Sequence, residues 1–146
     1  MNLNLSDNFT LENMTCAKND LLPHEHVVEE RKNTYKEYLV SLKPYIILPN
    51  IIICNTTHVI IDGHHRYSAL IELGFREIPV TSINYMDENV VTDLCSKPIE
   101  KSKVISSAIN GNLLPPKSSF HHIIDKNCKP QPLILLSPLS KLDWNS

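Results

Sequence analysis

The stretch Ile60–Val80, IIDGHHRYSALIELGFREIPV, places a short apolar run, a glycine turn and an amphipathic run in immediate succession. Ile60 and Ile61 lie in the β-rich segment HVIID, which ends at the Asp62-Gly63 pair. Beyond the turn, apolar residues recur at the spacing of one helix face, and Gly74 stands where a helix commonly ends. The stretch therefore predicts a strand, a tight turn and a helix that begins at the turn.

Patterns on both sides of this stretch predict further helices and strands. Helical spacing covers residues 27–42, 88–95 and 100–110, and β-rich segments cover NIIIC, HVIID and REIPVTSINY. The tetrad NTTH indicates a tight turn between the first two β-rich segments. Strands mixed with helices predict an α+β protein with a small mixed sheet and flanking helices, in an order that the pattern leaves open.

Length and composition set the domain count and the classes of partner. A chain of 146 residues with 42% hydrophobic composition predicts one domain, residues 1–146, with a core at about 20–122 and a tail at 127–146 extended over the surface. The 14 basic residues against 16 acidic ones disfavour a nucleic-acid partner. No apolar run approaches the ~20 residues of a membrane span, and no signal segment is evident. The four cysteines are widely spaced, which predicts reduced thiols: Cys16, Cys54, Cys95 and Cys128. We therefore expect a cytoplasmic protein, and one without membrane partners.

The segment DGHHR has the features of an anion-binding turn. Gly63 lets the backbone approach a ligand closely, and the first helix amides with Arg66 would form a cradle that suits phosphate. An ordinary surface turn, with His64 or His65 as a local cap, is the alternative. A metal site at these histidines is disfavoured because neighbouring residues at a helix start point in different directions.

The segment PHEHVVEE supplies three candidate carboxylates. Glu29 and Glu30 fall at the start of the first helix, where the helix dipole stabilises acidic residues without any chemistry. Glu25 precedes the helix and could face a site as a general base. In the later segment PPKSSFHH, Lys117 with two serines suits an oxyanion, and equally an ordinary solvated loop.

These segments together resemble a known family. LPHE before a helix, then VIIDGHHRYSALIELGFREIPV and INY, are similar to the ParB/sulfiredoxin-like fold. Within it, DGHHR with GNLLPPKSSFHH is most similar to the free L-serine kinases, which convert L-serine into O-phospho-L-serine. The resemblance covers roughly residues 20–122. Sulfiredoxins carry a cysteine where this chain has His64, and segregation-type ParB proteins continue into helix-turn-helix and dimerisation segments for which we expect no room here.

The resemblance implies roles for individual residues. Glu25 would be the base toward the serine hydroxyl, and Asp62 would lie close to the reacting centre with His65 and bind Mg²⁺. The turn and the later loop would bind phosphate through Gly63, His64, His65, Arg66, Lys117, Ser118, Ser119 and His121. Phe120 departs from the family, which often has arginine there, so one cationic contact would be absent.

The predicted function is therefore phosphoryl transfer to free L-serine, with Mg²⁺ as cofactor and two small-molecule partners, L-serine and a phosphoryl donor. Neither a GxxxxGK[ST] loop nor an HRD/DFG set is present, which excludes the P-loop and protein-kinase designs. An aromatic content of 6% offers little surface for adenine, so we expect pyrophosphate to serve at least as well as ATP or ADP. A non-catalytic ParB-like module that binds nucleotide or phosphate is the alternative function. The oligomeric state is left open.

Overall fold

The computed structural model describes residues 3–92, 99–117 and 119–144. Its helices are α1 Glu29–Ser41, α2 His64–Glu72 and α3 Lys101–Ile109. Its strands are β1 Leu11–Ala17, β2 Tyr45–Pro49, β3 Ile51–Cys54, β4 Ile60–Asp62, β5 Glu77–Ile83, β6 Val90–Thr92, β7 His121–Ile124, β8 Pro130–Pro132 and β9 Leu139–Asp143. Two 3₁₀ turns, Lys18–Asp20 and Leu133–Leu136, complete the regular structure of the described residues.

A four-stranded mixed sheet with the order β1-β5-β3-β4 forms the centre of the molecule. Strand β3 pairs in parallel with β5, whereas β1 and β4 run antiparallel to their neighbours. The β3–β4 hairpin closes at the predicted NTTH turn, and the chain passes from β4 through Gly63 into α2. The predicted α+β class, with a small mixed sheet and flanking helices, is confirmed.

Both faces of this sheet are covered, and β3 shows how. Successive side chains of a strand point to opposite faces. Ile51 and Ile53 therefore pack into a cluster with residues of α1 and α2, while Ile52 and Cys54 pack into a second cluster with residues of α3 and β7. All four side chains are buried, which explains why the sequence shows a continuous apolar run rather than alternation.

The C-terminal segment is not the surface tail that the sequence predicted. Strand β9 pairs antiparallel with β2, from Tyr45 opposite Asp143 to Pro49 opposite Leu139. The 3₁₀ turn between β8 and β9 contributes Leu133 and Leu136 to the second core cluster. Burial of these two leucines outweighs the preference of the prolines for an exposed, extended chain.

The prediction of a helix at residues 88–95 is also wrong for residues 88–92, the part that the structure describes. Residues 90–92 form β6, which pairs with β7 in a three-stranded antiparallel sheet ordered β6-β7-β8. Val90, Val91 and Thr92 are β-branched, which favours a strand over a helix. Residues 93–95, including Cys95, lie outside the described residues.

The described cysteines are Cys16, Cys54 and Cys128, and all three are free thiols, as predicted. Among the described residues, none of the helices combines the length and the apolar character needed to cross a bilayer.

Candidate active site

A cleft of about 380 Å³ opens where β4 ends, α2 begins and β7 passes. Every described residue that the sequence singled out as catalytic or phosphate-binding lines this cleft. The lining residues are Glu25, Arg31, Ile61, Asp62, Gly63, His64, His65, Arg66, Lys117, Ser119, Phe120, His121, His122, Pro132, Leu133 and Ile134. Ser118, which was predicted to bind phosphate, lies outside the described residues.

The Gly63 turn has the geometry of an anion cradle. Gly63 precedes α2 with φ +104°, a backbone conformation that L side chains rarely adopt, and no side chain caps the helix. The first backbone N–H groups of α2 therefore lack a capping side chain at the cleft. Helix N-termini of this kind attract anions through these N–H groups and the helix dipole.

Arg66 packs beneath this turn. Its Nη2 donates to the Asn50 carbonyl oxygen over 3.2 Å and lies 3.7 Å from Asp62 Oδ2. The guanidinium occupies the space that a side chain on Gly63 would need, since an added Cβ would lie 2.8 Å from Nη2. The Arg66 Nε is buried and has no hydrogen-bond partner among the described residues, so the guanidinium retains donor capacity.

The backbone on both sides of Glu25 is held by two histidines of α2. The His24 N–H donates to His64 Nε2 over 3.1 Å, and the Val28 N–H donates to His65 Nε2 over 3.0 Å. On the other side, Glu25 forms an isolated bridge with Leu114. These contacts fix the segment that carries Glu25, although it belongs to no helix or strand.

The same contacts define the protonation of His64 and His65. Each Nε2 accepts a backbone hydrogen, so the neutral ring carries its own hydrogen on Nδ1. Burial, followed by the neighbouring His24, holds the pKa of His64 well below its usual range. Burial, followed by Arg31 and Lys117, also lowers the pKa of His65. Both rings are thus neutral near pH 7, and they hold the Glu25 segment as hydrogen-bond acceptors.

Glu25 has a strongly perturbed carboxyl group. Burial raises its pKa to about 7, and the nearby Asp62 carboxylate adds to the rise. Backbone hydrogen bonds from Lys117 and Ser119 oppose it, as would a hydrogen bond donated by the Ser119 hydroxyl. A carboxyl group that titrates near neutrality can both accept and release a proton at working pH, which is what a general base requires.

The loop before β7 provides the opposite wall. Lys117 adopts φ +58°, uncommon for a residue with a side chain, and this turns the loop toward Glu25. Ser119 Oγ lies 3.2 Å from Glu25 Oε2. His121 lines the cleft, but its Nε2 is engaged by the Tyr85 hydroxyl at 2.8 Å, and burial lowers its pKa to about 3. Its predicted contact with phosphate stays a prediction.

Asp62 is the candidate magnesium ligand, and its side chain is 39% exposed at the end of β4. Among the described residues, no three His, Cys, Asp or Glu side chains converge on one point. A site made of three or more such side chains is therefore absent from the described part of the chain. Mg²⁺ is commonly held by one or two carboxylates together with substrate phosphates, and Asp62 beside an anion cradle fits that arrangement.

Sequence reasoning missed several parts of the cleft. Arg31 adds a third cation from the first turns of α1, and its place in the helical pattern alone did not distinguish it. Phe120 and the segment Pro132–Ile134 form an apolar wall, with Phe120 51% and Ile134 40% exposed. Only tertiary packing brings the C-terminal segment to the cleft, so no local signal could have found it.

The sequence is similar to proteins of two kinds, an L-serine kinase and a ParB-like protein. The chain is 39% identical over 74 residues to an ATP-dependent L-serine kinase from Staphylothermus marinus, a match covering 48% of this chain and 29% of the relative. It is 36% identical over 83 residues to a ParB-like protein from Sulfolobus acidocaldarius, covering 57% and 39%. The chain thus spans less than two fifths of the length of these relatives. No family model matches it.

Solved structures show the fold. A free serine kinase in complex with AMP superposes with a TM-score of 0.51 at 18% identity, covering 63% of this chain and 38% of that one. A conserved hypothetical protein from Pyrococcus furiosus superposes with a TM-score of 0.50 at 25% identity, covering 56% and 36%. The chain therefore has the fold of the free serine kinases and resembles ATP-dependent L-serine kinases and a ParB-like protein in sequence, as DGHHR and its neighbours predicted.

Proposed function

We propose that this protein is a free serine kinase that transfers a phosphoryl group to the hydroxyl of L-serine. The observation that carries the proposal is the convergence in one cleft of a buried carboxyl group, Glu25, with the cationic turn Gly63–Arg66. The similarity to ATP-dependent L-serine kinases supports it. Phosphoryl transfer requires little covalent chemistry from a protein and depends on positioning and on neutralising charge, which this cleft can provide.

In this mechanism Glu25 is the general base. Its ionised form takes the hydroxyl proton of L-serine as the serine oxygen attacks the terminal phosphorus of the donor. The bond between that phosphorus and the bridging oxygen breaks, and its electron pair leaves with the remaining phosphate. His64 and His65 hold the segment that carries Glu25 during the step, through the backbone N–H groups of His24 and Val28. A base whose pKa lies near the working pH is well matched to this proton transfer.

Three cations would hold the donor phosphates: Arg31, Arg66 and Lys117. They line the same cleft as the N-terminus of α2, whose N–H groups would complete an anion site. Asp62, with the donor phosphates, would hold Mg²⁺, which when bound neutralises charge on the transferring group. Asp62 also lies near Glu25 and raises its proton affinity.

Formation of O-phospho-L-serine is the expected result when purified protein is mixed with Mg²⁺, L-serine and ATP, ADP or pyrophosphate in turn. Product is identified by ³¹P NMR or mass spectrometry. The competing function, a regulatory module without turnover, would show nucleotide or phosphate binding by calorimetry and no phosphoserine with any donor. That outcome would reject the kinase proposal.

The donor is a separate question. The small aromatic content of the sequence led us to expect pyrophosphate to serve at least as well as a nucleotide. The apolar wall formed by Phe120 and Pro132–Ile134 now offers a surface for a nucleobase beside the cationic turn. Together with the similarity to an ATP-dependent L-serine kinase, this wall supports ATP or ADP as the donor, with pyrophosphate as the alternative.

Phe120→Ala tests whether the cleft binds the base of a nucleotide donor. Stacking of a base on an aromatic ring is worth about 1–3 kcal/mol, so kcat/KM with ATP or ADP should fall roughly 5- to 150-fold while kcat/KM with pyrophosphate stays unchanged. Leu139→Ala is the matched control, because Leu139 is an exposed apolar residue outside the cleft. Equal losses with all donors would show that Phe120 does not contact a base. A wild-type preference for pyrophosphate over both nucleotides would favour pyrophosphate as the donor.

A further inference from the structure

The side chains of His24 and Ser119 lie next to Glu25 and have no role in the proposed mechanism. His24 is fully buried, with Nδ1 2.6 Å from the Ile60 carbonyl oxygen and Nε2 2.7 Å from Ser119 Oγ. Ser119 Oγ lies in turn 3.2 Å from Glu25 Oε2. The three side chains thus form a continuous hydrogen-bonded row that ends on the backbone of β4.

The hydrogens available in this row determine which group donates each hydrogen bond. A carbonyl oxygen can only accept, so His24 Nδ1 must carry the hydrogen that it shares with Ile60. Burial lowers the pKa of His24, so the ring is neutral and its Nε2 can only accept. The single hydroxyl hydrogen of Ser119 therefore goes to His24, and Ser119 presents a lone pair to Glu25. A hydrogen bond between Ser119 and Glu25 then needs a hydrogen from the carboxyl group.

We propose that His24 is a positioning residue which acts through Ser119 to favour the protonated form of Glu25. The proposal rests on the proposed function only in its consequence for catalysis. As the base takes the proton of the substrate hydroxyl, the new O–H of Glu25 finds an acceptor already oriented in Ser119. Without His24, the hydroxyl of Ser119 would rotate and donate to the carboxylate, which would make Glu25 a weaker base.

Other groups also face Glu25, and the test must separate them. From α2, His64 Nδ1 lies 3.7 Å from Glu25 Oε1, and from the same segment His24 Nε2 lies 3.8 Å from Oε2. From the end of β4, the Asp62 carboxylate disfavours ionisation. From the loop before β7, the backbone of Lys117 and Ser119 favours it. Among these described groups, the Ser119 hydroxyl is the one whose effect on the pKa of Glu25 depends on where its hydrogen points.

Ser119→Ala gives opposite results for the two directions of the hydrogen bond. The measurement is the pKa of Glu25 by ¹³C NMR of carboxyl-labelled glutamate in the whole chain without substrate, with the resonance assigned by its absence from Glu25→Gln. If Ser119 accepts from Glu25, its removal lowers the pKa by roughly half a unit or more. If Ser119 instead donates to the carboxylate, its removal raises the pKa. A rise, or no change, would overturn the proposal.

Two further variants keep the test decisive. Ser119→Thr retains the hydroxyl and should restore the wild-type pKa. His24→Phe removes the acceptor, frees the Ser119 hydrogen for the carboxylate and should lower the pKa as Ser119→Ala does; an unchanged pKa in a folded His24→Phe variant would overturn the role of His24. These titrations need no activity, so failure to form phosphoserine would reject the proposed function and leave this result standing.

Discussion

Glu25→Gln is expected to lower kcat for phosphoserine formation by about 10²–10⁴-fold, the usual contribution of a general base. Glutamine has nearly the same shape as glutamate but cannot take a proton from the substrate hydroxyl. The fold should persist because His64, His65 and Leu114 hold this segment through backbone contacts that Glu25→Gln leaves in place. Far-UV circular dichroism and single-turnover kinetics at saturating L-serine measure the two effects.

Glu30→Gln is the matched control for this substitution. Glu30 is an exposed carboxylate in the first turn of α1, where a negative charge is worth only about 0.3–1 kcal/mol of helix stability. Its replacement should leave kcat nearly unchanged, as should replacement of the exposed Glu29. Equal losses in all three variants would show that the base is not Glu25.

The pH profile gives an independent check on the same group. Because burial raises the pKa of Glu25 to about 7, the protonated fraction grows as the pH falls below that value. A protonated carboxyl group cannot act as a base, so kcat/KM should fall about tenfold per pH unit on the acid side. An acid limb near pH 4, where an ordinary glutamate titrates at about 4.3, would assign the limb to a group other than buried Glu25.

Gly63→Ala is the second variant with a large expected effect. At φ +104° an alanine is strained, and its Cβ would lie 2.8 Å from Arg66 Nη2 and 3.0 Å from Ile51 Cδ1. The isoleucine belongs to the core strand β3 and has little freedom to move, so the arginine or the turn must shift. We expect activity to be largely lost because the shift opens the anion cradle.

Gly74→Ala is the control that distinguishes the cost of backbone strain from the cost of the steric clash at Gly63. Gly74 has a similar φ of +91°, but no atom lies within 4 Å of the added Cβ. Both variants therefore carry a backbone cost of about 1–3 kcal/mol, and only Gly63→Ala adds an overpacking cost of about 1–3 kcal/mol. Urea unfolding measures the difference between them. Equal free energies of unfolding, or equal activities, would mean that the close approach of Arg66 to Gly63 has no consequence.

The parts of this molecule that the sequence predicted are those encoded over a few residues. The Gly63 turn, α2 and the β3–β4 hairpin each follow from local spacing, and the cleft indeed gathers Glu25 with the two phosphate-friendly segments. The contacts of His24 were missed because a lone histidine beside a candidate base has no signal of its own. Its partners, Ile60 and Ser119, are distant in sequence and are brought close only by the sheet.

The incorrect predictions also arose where partners distant in sequence decide the structure. The helical spacing at 88–95 gave way to β6 because β7 offers a pairing partner that no local window contains. Parallel pairing of β3 with β5 likewise depends on the whole sheet rather than on either segment. The C-terminal prolines suggested an exposed segment, yet Leu133 is only 2% exposed. Propensity is a weak guide wherever tertiary contacts compete with it.

The ribbon formed by β2 and β9 has a kinetic consequence. Tyr45 and Asp143 are paired although they lie in opposite parts of the chain, and contacts of such long range carry a large loop-closure cost and slow folding. The same C-terminal segment supplies Leu133 and Ile134 to the cleft. The apolar wall is therefore expected to be assembled late in folding, after the Glu25 segment and the Gly63 turn have formed. A ligand that touches this wall would in turn hold the last-formed strand in place by mass action.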